Sequence, residues 1–135
     1  MDDRAMKARH SEYELNQLVR ESNGFILRCA SKTCKRFITE SVIQSKADHI
    51  VVVTHHMPTS LAVAPQHVDS PLNSAFAVEM GNFIADSRID YWIYGHSHTN
   101  IDADIEGTII MANQLGYIAH GEQNNGFRNN RYFEL

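Results

Sequence analysis

The sequence is poor in the features that mark membranes, secretion and nucleic-acid binding. No apolar run approaches the ~18 residues of a membrane span. Runs such as 50–53 and 91–94 reach only four residues, so no membrane partner is expected. Lys and Arg form no cluster on any segment, and 16 acidic against 12 basic residues leave a net charge of −4. No nucleic-acid scaffold is expected either. The opening Met1-Asp2-Asp3-Arg4 has no apolar h-region, so no signal peptide is expected in this chain. Cysteine is scarce: Cys29 and Cys34 are too few for a disulfide scaffold and lack the C-x-x-C spacing. Free thiols in a reducing compartment, the cytoplasm, are the expectation. No repeat, low-complexity tract or Pro/Gly linker divides the 135 residues, a length that fits one domain.

The periodicities predict an α/β arrangement. Leu15, Leu18 and Val19 share one face of a helix over 11–22, which the Ser22-Asn23-Gly24 cluster ends. A second helix is expected over about 33–46, with Cys34, Phe37, Ile38 and Val42 as its apolar stripe. The β-branched run 49–54 reads as a strand buried on both faces of a parallel sheet. An irregular loop over 59–73, with Pro65 and Pro71, follows it. Asn73 or Ser74 caps a third helix carrying Phe76, Met80, Phe83 and Ile84. The run 90–94 is the next strand. Strand, helix, strand predicts a parallel βαβ unit. Beyond it, 100–106, a turn at Gly107 and 108–112 read as an antiparallel meander, with 131–135 as a closing strand.

The surplus in this composition is histidine, eight in all. Both parallel strands run into it: Thr54-His55-His56 after one, Gly95-His96-Ser97-His98 after the other. Ligands gather at the carboxyl ends of parallel strands, so adjacent strands would bring these imidazoles to one edge. An extended backbone would point His96 and His98 to the same side. Imidazole clusters bind Zn, Fe and Mn. His10, His49, His67 and His120 lack a local motif and are expected at the surface or in caps. His67, in the long loop, is within reach of a substrate. Asp102 and Asp104 are the carboxylates nearest in sequence, on a face expected to meet solvent.

At these residues the chain resembles the calcineurin-like metallophosphoesterases. Thr54-His55-His56-Met57-Pro58 and Gly95-His96-Ser97-His98 match that family's last two motifs in order, with a helix between. Asn113-Gln114-Leu115-Gly116-Tyr117 resembles the N-P-R-G-Y element that follows G-H-x-H in small bacterial members. Asn125-Gly126-Phe127 and Tyr132-Phe133-Glu134-Leu135 resemble their last strand, and Met1-Asp2-Asp3-Arg4 an internal M-N-D-Y-R stretch. The family's first three motifs, D-x-H, G-D-x-x-D and G-N-H-D/E, do not occur; Gly81-Asn82-Phe83 lacks the histidine. The resemblance thus makes 1–135 a single partial domain, the second half of a metallophosphoesterase β-sandwich flanked by helices.

The resemblance implies metal-dependent hydrolysis of phosphate esters. In the full family domain two divalent ions (Mn, Fe or Zn) generate the attacking hydroxide and neutralise charge on phosphorus. Carried over, His55 and His96 would ligate one metal and His98 the other, with His56 in a catalytic position at the rim, against the substrate phosphate. Pro58 leaves the choice between His55 and His56 open, since H-x-P spacing favours His56. Asn113 stands where the family orients groups near the metals, and a turn role fits it equally. The alternative is an inactive half-domain acting as an assembly module, as a homodimer or beside its missing N-terminal half. Other hydrolases fit less well: Thr99-Asn100 replaces the aspartate of H-x-H-x-D-H, too little chain follows His96 for a barrel, and no G-x-S-x-G elbow exists.

Overall fold

The computed structural model describes residues 25–27, 32–71 and 73–135. The helix expected over 11–22 lies outside them. The elements are β1 (Phe25–Leu27), α1 (Lys32–Gln44), β2 (Val51–Thr54), α2 (Asn73–Phe76), α3 (Gly81–Ala85), β3 (Tyr91–Tyr94), β4 (Ala103–Ile105) and β5 (Thr108–Ala112). They form a mixed α/β fold on one five-stranded sheet in the order β1-β2-β3-β5-β4. β1, β2, β3 and β5 run parallel, and β4 is antiparallel to β5.

Alternation along the strands decides where the core sits. Val52 and Thr54 of β2, and Trp92 and Tyr94 of β3, are buried, while the residues between them are half-buried. The 49–54 run is therefore not buried equally on both faces, as its uniform β-branching suggested. The buried face carries Val52, Trp92, Ile110 and Ala112, packed with Ile38 and Val42 of α1 and Ile84 of α3. Each Val or Ile among them taken from water contributes about 1.5–3 kcal/mol. Ile38 and Val42 stand four apart on α1, and Arg36 pairs with Glu40 at 2.7 Å on its wet side. At the entrance of the sheet Asp90 accepts from the Ile50 amide at 2.7 Å.

Three expectations need correction. The third helix is not continuous: α2 and α3 are short, and 77–80 between them is not helical. The backbone of 57–58 captures that stretch, through Met57 N to Phe76 O (3.1 Å), Val78 N to Met57 O (2.9 Å) and Met80 N to Pro58 O (2.9 Å). Met80 and Ile84 still reach the core, so their spacing reported burial rather than helix. Secondly, the segment after β3 is not a simple meander, because β5 inserts between β3 and β4, parallel to β3. The β4–β5 turn has Glu106 at φ 48° and Gly107 at φ 93°, the pair of left-handed residues a two-residue hairpin favours. Thirdly, 131–135 is no strand. Side chains hold it instead: Tyr91 Oη donates to Glu134 O at 3.0 Å, and the Phe133 ring lies 4.6 Å from that of Tyr91. β1 carried no expectation at all. Among the described residues there is one sheet and no second layer of a sandwich.

Cys34 is disulfide-bonded rather than a free thiol; Cys29 lies outside the described residues. The cysteines therefore no longer argue for a reducing compartment. Among the described residues no helix is long and apolar enough to cross a membrane.

Candidate metal centre

The site stands at the carboxyl edge of the parallel strands. β2 and β3 are neighbours in register, Val53 opposite Ile93, so the residues just past their ends face each other. Gly95 N donates to His55 O at 3.1 Å, extending the ladder by one bond. A β-carbon on Gly95 would stand 3.5 Å from that oxygen, an ordinary contact. Thr54 links the end of β2 to the Trp92 side chain of β3 and to the His56 backbone. Its buried Oγ1 accepts from Trp92 Nε1 at 2.9 Å and donates to His56 O at 2.7 Å.

Three imidazoles converge there. His55, His56 and His96 each offer a ring nitrogen, and the three lie within 4.8 Å of one another. Their ring centroids form a near-equilateral triangle with sides of 5.0, 4.9 and 4.9 Å. His96 Nδ1 and His55 Nε2 are 2.9 Å apart, so one ring donates and the other accepts. Phe76 lies against His96, centroids 4.4 Å apart and planes tilted 30°. Burial, then the neighbouring His56, His55 and His98, pushes the His96 imidazole below the usual histidine range. A neutral ring with a free lone pair is the form that binds a metal.

This donor set fits a divalent ion. Tetrahedral zinc with Zn–N of about 2.05 Å places its ligand nitrogens about 3.3 Å apart, so shifts of about 1.5 Å or less suffice. Three imidazoles without a carboxylate suit Zn or Fe better than Mn. Among the described residues the group would offer such an ion three imidazole donors.

His98 does not join this group. His96 and His98 both take the left-handed conformation, φ 72° and 50°, so the backbone is not extended there as the spacing suggested. Each such residue costs about 1–2 kcal/mol and persists because its surroundings over-determine it. His98 N donates to Gln114 Oε1 at 2.9 Å, and Asn125 Nδ2 donates to His98 O at 2.7 Å. Its Nδ1 meets Glu122 Oε2 at 2.9 Å. That carboxylate also accepts from the Tyr117 amide, which, with His98, holds its pKa below the usual range. An ionised carboxylate only accepts. Nδ1 of His98 therefore carries a proton and donates it to Glu122 Oε2.

The remaining sequence candidates take structural roles. Asp102 pairs with Arg131 at 2.6 Å, and Asp104 accepts from the Gly107 amide. Asn113 exchanges two hydrogen bonds with the Arg128 backbone, 15 residues further along, and so ties two distant segments together. His49 lies 3.5 Å from Asp90, and His120 lies beside the Tyr117 ring. His67 lines a cavity together with His96. Sequence reasoning missed Glu122 and the brace made by Gln114. Gly116 was a usable signal: at φ 73° its β-carbon would stand 2.6 Å from Glu122 Cβ, so the glycine makes room for the carboxylate.

No family model matches the chain. It is 24% identical to "Uncharacterized protein L509" of Acanthamoeba polyphaga mimivirus, a match covering 96% of this chain and 50% of that protein. The chain thus spans about half the length of the relative it matches.

Proposed function

We propose that the chain is the metal-holding portion of a phosphoesterase, with His55, His56 and His96 as ligands of a divalent ion and a phosphate ester as substrate. One observation carries this reading: the ends of two adjacent parallel strands bring three imidazole nitrogens within 4.8 Å. The ion, when bound, supplies Lewis acidity and lowers the pKa of water. The chain's own residues keep the ligands in place. Thr54 fixes the His56 carbonyl, and Phe76 shields one face of His96 from water. This reading moves His56 from the rim into the ligand set. His98, its tautomer set by Glu122, takes the flanking place beside the phosphate.

The test is release of p-nitrophenolate from p-nitrophenyl phosphate and its diester by the full chain loaded with Zn, Fe or Mn. Metal-dependent turnover that is lost in His55→Ala and His96→Ala supports the reading. Turnover unchanged in both variants overturns it. A second reading, an inactive half-domain serving assembly, is favoured by β1, which among the described residues pairs on one side only. Metal uptake without turnover, with a concentration-dependent dimer in sedimentation, selects that reading.

A further inference from the structure

A cavity of about 250 Å³ opens beside His96. Buried Met57, Val63 and Ala64 and half-buried Phe76 give it apolar walls, and the uncharged Ser70, Asn73 and Ser97 and the exposed His67 complete the lining. His96 belongs both to this cavity and to the imidazole group. Among the described residues that line it there is no Lys, Arg, Asp or Glu. The walls are braced without a ligand. Asn73 Nδ2 donates to His67 O at 2.6 Å and Val68 O at 2.8 Å, and Met57 is paired to Phe76 and Val78.

We propose that this cavity selects the organic part of the ester, and that it takes one uncharged, ring-sized group whose phosphate lies at the imidazoles. The inference rests on the phosphoesterase reading. An apolar cavity of about 150 Å³ is enough for benzene, so this one holds a single ring with its linkage. A phosphate tail or an ionised side chain would lose its water there and find no opposite charge. Aryl-type monoesters are thus the substrate class. Polyphosphates, whose tail is charged, are excluded from the cavity.

The experiment compares phenylphosphonate with methylphosphonate, neither of which hydrolyses, by calorimetric titration of the zinc-loaded full chain. The cavity predicts a preference of about tenfold or more for the phenyl compound. Ser70→Phe at the rim and Val63→Trp in the wall should each collapse that ratio, with zinc content measured in parallel. If Val63→Trp does not fold, Ser70→Phe decides. Equal affinities in the unaltered chain overturn the inference and leave the metal reading standing. Failure to take up zinc overturns both.

Discussion

Thr54→Val is the perturbation whose cost follows most directly from the geometry. Threonine and valine have the same shape, so the core keeps its packing while Oγ1 is lost. The buried indole Nε1–H of Trp92, the donor of a 2.9 Å bond, then has no acceptor, which costs about 1–3 kcal/mol. The added methyl offsets about 0.8 kcal/mol of that. The His56 carbonyl also loses a partly buried donor at 2.7 Å, worth about 0.5–1.5 kcal/mol. The net expectation is a destabilisation of about 1–3 kcal/mol. Urea unfolding followed by fluorescence measures it cleanly, because Trp92 is the only tryptophan. Zinc affinity should fall in the same variant, since Thr54 ties the His56 carbonyl to Trp92 of β3. A loss below about 0.5 kcal/mol, the range of an ordinary surface substitution, would refute the reasoning.

Other consequences follow from the same contacts. Burial, the largest single influence on Glu79, raises its carboxyl pKa, but bonds from Ser60 N, Gly81 N, Ser60 Oγ and Thr59 Oγ1 together outweigh it and hold the pKa below the usual value of 4.5. A group depressed in the folded state contributes stability above its unfolded pKa and loses it as pH falls through the folded one. Glu79→Gln should therefore remove part of the acid dependence of the urea midpoint below about pH 4.5, less than about 1 kcal/mol at this exposed site; identical pH profiles would contradict this. Glu122→Ala should shift the His98 ring away from the Nδ1–H tautomer in ¹⁵N imidazole spectra, and an unchanged spectrum would show that Glu122 does not set it. Gly116→Ala, at φ 73° and against Glu122, should cost at least about 1–2 kcal/mol in urea unfolding. Gly95→Ala should stay within about 1 kcal/mol, because its β-carbon meets His55 O at only 3.5 Å.

What the sequence revealed was local, and what it hid was long-range. β2, β3 and β5 were visible because β-branched and aromatic residues concentrate there. β1 was invisible because three residues carry too little pattern. The broken helix over 73–85 deceived because Met80 and Ile84 keep a helical spacing of buried side chains, while the backbone bonds of 57–58 decide the conformation. The edge on which His55, His56 and His96 meet was legible, since two strand ends finish in histidine. The contact of His98 with Glu122 was not, because it depends on a left-handed backbone and on a carboxylate 24 residues further along.

The account stands or falls on which three histidines act together. Zinc titration of the full chain against a competing chelator, repeated for His55→Ala, His56→Ala, His96→Ala and His98→Ala, decides it. The geometry predicts about one equivalent of zinc, a loss of at least about 100-fold in affinity for each of the first three variants, and less than about tenfold for His98→Ala. Full affinity in His56→Ala with collapse in His98→Ala would contradict the account and return the centre to His55, His96 and His98.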